Sequence, residues 1–230
     1  MVRPNDDEVH VWSVDLSSPA RAETTTAVLS LAERARFAAL SAEDRQRVTT
    51  TRAALRELLS GYLGIAPADV ALTASTAKLA LAGGELEFNV AHTEGLALLA
   101  VAAVPVGVDV ERVELVADDD FADLLEFVLT AQELDELVRL PEPGRLGAYY
   151  RVWTRKEAYV KATGEGIAGR PLPEVVVGVA AAALIGVADV ADAEVREWSV
   201  LDVEVPAGYV ASVVVRHQDP RLTVRRWPTG

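Results

Sequence analysis

The sequence predicts an α+β fold with mainly antiparallel sheets, in two related α/β halves. Two observations carry this. Strand-like and helix-like stretches are mixed without the strict alternation that a doubly wound sheet requires. In addition, residues 94–105 (EGLALLAVAAVP) and 207–220 (AGYVASVVVRHQDP) repeat one design: a glycine turn, a buried strand, then a proline-marked exit. The division expected is 1–104 for the N-terminal half and 105–230 for the C-terminal half.

Residues 9–16 (VHVWSVDL) alternate and are β-branched, as a first strand should be. Residues 27–40 read as helix. A second helix follows, with Ser41 as N-cap and Asp44 three residues on. Its apolar stripe is Leu55, Leu58, Leu59, Tyr62 and Leu63, and Gly64 ends it. The other side carries Arg45, Arg47, Arg52 and Arg56, either a solvated face or an anion site. Short strands are predicted at 70–74, 86–91, 96–102 and 106–110. Helix is expected again over 118–139, opened by three aspartates that suit a helix N-terminus. Strands at 175–187, 198–203, 209–216 and 222–226 complete the chain.

Between these lies residues 147–167, GAYYRVWTRKEAYVKATGEGI, a helix that Gly164 and Gly166 should stop. Trp153, Glu157 and Lys161 are four apart and share one face. A carboxylate beside an amine can bind a metal, grip a phosphate or move a proton, or form only a surface ion pair. Composition bears on the choice. The chain has three lysines, Lys78, Lys156 and Lys161, against nineteen arginines, and two of the three fall in this short stretch. Arginine is a poor substitute for a compact ammonium.

The totals exclude several classes. Of 230 residues, half are hydrophobic and a quarter charged, which describes a globular chain. The net charge of −13 argues against a general grip on nucleic acid and against an anionic membrane surface. The absence of cysteine removes disulfides, thiol catalysis and cysteine zinc sites, and fits the cytoplasm. No export signal is expected at the acidic N-terminus, and the most apolar run, 175–188, is too short to span a bilayer.

In PVGVDVER (105–112), Asp109 and Glu111 lie two apart on a strand and point to one face, about 7 Å apart along the chain. Acids are poor strand formers. The pair reads as a solvent-facing strand end or as hard oxygen ligands for Mg²⁺, with Glu157 as the natural third carboxylate. His92 ends a strand, either structural or facing a ligand. Lys78 lies in a loop, either plain surface or a further cation for phosphates.

Three blocks resemble a known family. FNVAHT (88–93), VGVDVER (106–112) and WTRKEAYVKATGEGI (153–167) are similar, in order and spacing, to the signature blocks of the surfactin-synthetase-type 4′-phosphopantetheinyl transferases. Ala91 and Thr93 replace the family's usual small hydroxyl residue and serine. Ala77-Lys78-Leu79 stands where Gly-Lys-Pro is usual, near the adenine.

The resemblance implies two pseudo-symmetric α/β halves with the ligand, coenzyme A, in the cleft between them, and transfer of its phosphopantetheine arm to a serine of an apo carrier protein, releasing 3′,5′-ADP. It implies that Asp109, Glu111 and Glu157 hold Mg²⁺, with Mn²⁺ as an alternative. Glu157 or Glu111 would take the serine proton, and Lys161 and Lys156 would hold the phosphates. His92, Arg47 and Arg52 would bind the 3′-phosphate side, with Lys78 and Thr93 completing the coenzyme A contacts. The partners implied are carrier proteins or carrier domains of fatty-acid, polyketide or peptide synthetases, met by a cytoplasmic monomer that binds neither nucleic acid nor membrane. An apolar docking groove is expected from Phe121, Leu124, Leu125 and Val128. A coenzyme A or nucleotide sensor and a Mg²⁺-dependent nucleotide hydrolase are the alternative functions.

Overall fold

In the computed structural model, the residues described are 1–17, 26–74, 79–84, 86–115, 118–180, 185–186, 188–189 and 197–227. The strands are β1 (Glu8–Asp15), β2 (Leu72–Ala74), β3 (Leu79–Leu81), β4 (Glu87–Thr93), β5 (Leu96–Ala102), β6 (Val106–Arg112), β7 (Val175–Val176), β8 (Ile185–Gly186), β9 (Ala188–Asp189), β10 (Ser199–Asp202), β11 (Tyr209–Val215) and β12 (Arg221–Trp227). The helices are α1 (Leu31–Ala38), α2 (Ala42–Leu63), α3 (Asp118–Val128), α4 (Ala131–Arg139), α5 (Glu142–Thr163) and the single turn α6 (Gly166–Gly169).

Two four-stranded sheets organise the chain, in the orders β12-β1-β5-β4 and β6-β11-β10-β8. All neighbours in them are antiparallel except β1 and β12, so the α+β reading with mainly antiparallel sheets holds. Alternation along each strand fixes what the two faces meet. On β5, Leu96, Leu98, Ala100 and Ala102 point into a core shared with Val106, Val108 and Val110 of β6 and with Ala211, Val213 and Val215 of β11. Ala97, Leu99 and Val101 point the other way, onto Leu55, Leu58, Leu59 and Tyr62 of α2. The outer face of the second sheet packs through Val200 and Val214 against α5. The layers therefore run α2, first sheet, second sheet, α5.

The repetition seen in the sequence has a structural counterpart. β5 and β11 are interior strands of their sheets, and each follows a left-handed glycine, Gly95 (φ 79°) and Gly208 (φ 91°). The two long helices, α2 and α5, are each 22 residues and each ends at a left-handed glycine, Gly64 and Gly164. Ser41 caps α2 as expected, accepting from the Asp44 amide at 3.1 Å.

Several boundaries differ from the sequence reading. The helix expected over 118–139 is two, because Thr130 and Glu133 form a reciprocal capping box that starts a new one. Ser30 and Glu33 do the same inside 27–40, so α1 begins at Leu31. Residues 175–187 are not one strand; short pieces occur at β7 and β8, and residues 181–184 and 187 lie outside the described residues. β12 pairs with β1 in the first sheet, so the C-terminal strand does not stay with the half that a division at residue 104 gives it.

Candidate functional site

Strand β6 lays Val106, Val108 and Val110 into the shared core, which turns Gly107, Asp109 and Glu111 onto the opposite face, toward α5. Gly107 is what allows the helix to come this close. A Cβ there would lie 2.0 Å from the carbonyl oxygen of Ala158 and 2.6 Å from the amide nitrogen of Ala162. The approach is held from the other side by Thr154 Oγ1, 2.9 Å from Ser212 Oγ on β11.

This packing brings the strand acids to the helix residues. Lys161 Nζ donates to Asp109 Oδ1 at 2.5 Å and lies 3.9 Å from Glu157. The second Asp109 oxygen, Oδ2, is buried with no hydrogen-bonding partner. Burial raises the Asp109 carboxyl above the usual range, with Lys161 pulling the other way. Glu111 is raised to about 7 by burial and then by the Asp109 charge. Glu157 is raised by burial, opposed by Lys161 and reinforced by Asp109. Burial is the leading cause of all three shifts, and Lys161 opposes each of them.

That donor set fits a hard divalent cation: three carboxylates, one of them with a buried, unpartnered oxygen. Among the described residues no three His, Cys, Asp or Glu side chains stand close enough together to hold a metal ion as they are placed, and Lys161 supplies the cation that Asp109 meets.

Next to this cluster a cavity of about 310 Å³ is lined by Thr51, Arg52 and Leu55 of α2, Phe88 and His92 of β4, and Lys161. Asn89, one residue along β4 from Phe88, accepts from the Val108 amide at 3.1 Å and so ties the edges of the two sheets together. His92, at the cavity, is pushed below the usual imidazole range by desolvation and then by Arg47. Arg47 donates to Asp44 at 2.7 Å, yet its Nε is buried without a partner. Arg52 lines the cavity and is held by Glu33 at 2.8 Å. Thr93 closes β4.

Other members of the arginine row are committed to structure. Arg56 is buried, bound to Glu33 and to the carbonyls of Pro67 and Val70. Arg45 donates to the Ala38 and Leu40 carbonyls behind α1. Sequence alone could not separate these from Arg47 and Arg52, because the carbonyls that engage them come from residues 38 and 40 for Arg45 and 67–70 for Arg56.

Lys156 is the clear correction. It is 0% exposed, and its ammonium is used up by Glu133 at 2.6 Å and by the carbonyls of Val128 at 2.7 Å and Leu172 at 3.1 Å. Burial lowers its pKa against the pull of Glu133. It therefore faces the interior, not the cleft. Lys78 lies outside the described residues. Of the residues expected to form a docking groove, Phe121, Leu124 and Leu125 are half-buried against the core and Val128 is fully buried, and Phe127 beside it is 51% exposed. Gly107 and Asn89 hold the elements of the site together and are not among the residues the sequence singles out. The glycine between valines, in a strand with no turn, was the available signal.

Two sheets, each backed by one long helix, gather carboxylates and cations at their junction. Comparison with known proteins gives the family. Residues 105–214 match the 4′-phosphopantetheinyl transferase superfamily. The 4′-phosphopantetheinyl transferase HetI of Nostoc sp. strain PCC 7120 is 35% identical over 170 residues, 70% of this chain and 71% of that protein. The 4′-phosphopantetheinyl transferase psf-1 of Bacillus pumilus is 32% identical over 80 residues, 35% of this chain and 33% of that one. Among solved structures, the holo-[acyl-carrier-protein] synthase of Thermotoga maritima aligns with a TM-score of 0.38 and 21% identity, covering 51% of this chain and 64% of that one. The chain belongs to the 4′-phosphopantetheinyl transferase superfamily. Among the described residues no helix is long and apolar enough to cross a membrane.

Proposed function

We propose that this protein transfers the 4′-phosphopantetheine arm of coenzyme A to a serine of an apo carrier protein and releases 3′,5′-ADP. Family membership supports the reaction class. The observation that carries the reading is the convergence of Asp109 and Glu111 from β6 with Glu157 and Lys161 from α5, beside the cavity shared by α2 and β4.

The chain's residues divide the work as follows. Arg47, Arg52 and His92 hold the 3′-phosphate side of coenzyme A, and the unpartnered Nε of Arg47 is the donor most in need of an acceptor. Thr93 and Lys78 complete the coenzyme A contacts. Lys161 leaves Asp109 for a phosphate oxygen, where its ammonium meets the charge that grows as the pyrophosphate bond breaks. Glu157 or Glu111 accepts the proton of the serine hydroxyl. Asp109, Glu111 and Glu157 are the residues that would hold Mg²⁺. When bound, that ion would neutralise pyrophosphate charge and make an oxygen nucleophile easier to deprotonate. Lys156 has no part in the coenzyme A contacts. The partners are carriers of fatty-acid, polyketide or peptide synthetases, and the setting is the cytoplasm.

The test is release of 3′,5′-ADP from coenzyme A with Mg²⁺, with and without an apo carrier protein. Release that requires the carrier supports transfer. Equal release without it would make the protein a hydrolase, and none under either condition would make it a binder.

A further inference from the structure

We propose that Lys156 and Glu133 form a buried positioning pair that sets the rotation of α5, and through it the place of Glu157 in the carboxylate cluster. The proposal rests on the function proposed above. Lys156 and Glu133 are 0% and 1% exposed, and 2.6 Å apart. The three donors of the ammonium meet three acceptors: Glu133 Oε2, the Val128 carbonyl at the end of α3, and the Leu172 carbonyl beyond α5. Glu133 is as fully used. Its Oε2 also accepts from the Thr130 amide at 3.0 Å, and its Oε1 accepts from the Val177 amide at 3.0 Å. One ion pair therefore fastens α5 to the end of α3, the start of α4 and the segment 172–177.

Lys156 precedes Glu157 in α5, so the two point about 100° apart around one helix axis. Fixing the first fixes the second. Side chains reach about 5–6 Å from a helix axis, so a turn of about 20° would carry the Glu157 carboxylate roughly 2 Å. Gly107 against Ala158 and Ala162 sets the distance of α5 from β6, and Thr154 with Ser212 sets its height. The ion pair, on a different side of the helix, supplies the resistance to rotation. A lysine suits it because one tetrahedral ammonium reaches three acceptors in a closed space, where a planar guanidinium would not fit.

The proposal separates two roles for this lysine. A phosphate ligand and a positioning residue make different predictions for two probes, Mn²⁺ alone and 3′,5′-ADP alone. The experiment compares the parent, Lys156→Met, and the double variant Lys156→Met/Glu133→Gln. The double variant leaves no buried unpaired charge, and its glutamine can still cap α4. Mn²⁺ affinity, 3′,5′-ADP affinity and single-turnover transfer are measured at a temperature where melts show each protein folded. Positioning predicts that both variants bind Mn²⁺ about 10–100-fold more weakly, the usual effect of losing a residue that orients a ligand. It predicts slowed transfer with 3′,5′-ADP affinity near the parent's. Weakened 3′,5′-ADP binding with Mn²⁺ affinity kept would make Lys156 a phosphate ligand and overturn the proposal. Unchanged affinities for both probes in a less stable protein would leave the pair a merely structural one and also overturn it. A parent that binds 3′,5′-ADP but no Mn²⁺ would remove the metal assignment of Asp109, Glu111 and Glu157, and the positioning role with it.

Discussion

Gly107→Ala tests the packing on which the site depends. The added methyl would start 2.0 Å from the Ala158 carbonyl oxygen and 2.6 Å from the Ala162 nitrogen, both backbone atoms that no rotamer change can clear. A carbon–oxygen contact is normally no closer than about 3.3 Å, so α5 and β6 must part by at least about 1.3 Å. Overpacking of this kind costs about 1–3 kcal/mol. For a chain of this size each kcal/mol lowers Tm by about 2–4 °C, so a fall of about 2–12 °C is expected. Activity should fall further than stability. β6 carries Asp109 and Glu111 while α5 carries Glu157 and Lys161, so the parting acts directly on the cluster. A misplacement of about 1 Å is worth roughly 100-fold in rate. The assay is single-turnover transfer to an apo carrier at a temperature well below the variant's melt. A Gly107→Ala protein with the parent's Tm and the parent's rate would refute the reasoning.

Other expectations follow from the same geometry. Glu157→Gln and Lys161→Arg should each fold and each lose at least about 100-fold in single-turnover rate, since one removes a metal-binding charge and the other a compact ammonium. A folded Lys161→Arg protein working at the parent rate would remove Lys161 from the chemistry. Glu111 has its pKa raised from 4.5 to about 7, so the fold favours the protonated form and ionisation destabilises it. Chelator-treated parent should therefore lose stability relative to Glu111→Gln as pH rises past about 4.5, with the loss complete above about 7. Parallel Tm-against-pH curves for the two proteins would contradict this. Dephospho-coenzyme A, which lacks the 3′-phosphate, should bind the parent much more weakly than coenzyme A, with a smaller penalty in Arg47→Ala. Equal penalties measured by titration calorimetry would put Arg47 outside the nucleotide site.

What could be read from the sequence was local. Period-two alternation put Asp109 and Glu111 on one face, and period-3.6 spacing put Glu157 and Lys161 on another, because both regularities come from backbone geometry alone. The two faces meet because the shared core takes Val106, Val108 and Val110. Partners brought from far along the chain were not legible. Lys156 sits one residue from Glu157 in a block of functional residues, and only the arrival of Glu133, Val128 and Leu172 shows that it is interior. The arginines of α2 are alike in sequence; the 67–70 carbonyls set Arg56 apart, and the Ala38 and Leu40 carbonyls set Arg45 apart. The pairing of β12 with β1 joins the two ends of the chain, which no periodicity encodes. The division of 118–139 was legible in principle, since Thr130 and Glu133 form a capping signature inside an apolar pattern that reads as continuous.

The central claim is a covalent transfer to a carrier protein, and the mass of the carrier tests it most directly. An apo carrier protein is incubated with coenzyme A, Mg²⁺ and this protein, and its intact mass is read before and after. The account predicts a gain of one phosphopantetheine arm on the carrier serine, absent when that serine is replaced by alanine and lost with the folded Glu157→Gln protein. A carrier of unchanged mass in a reaction that has nevertheless consumed coenzyme A would contradict it.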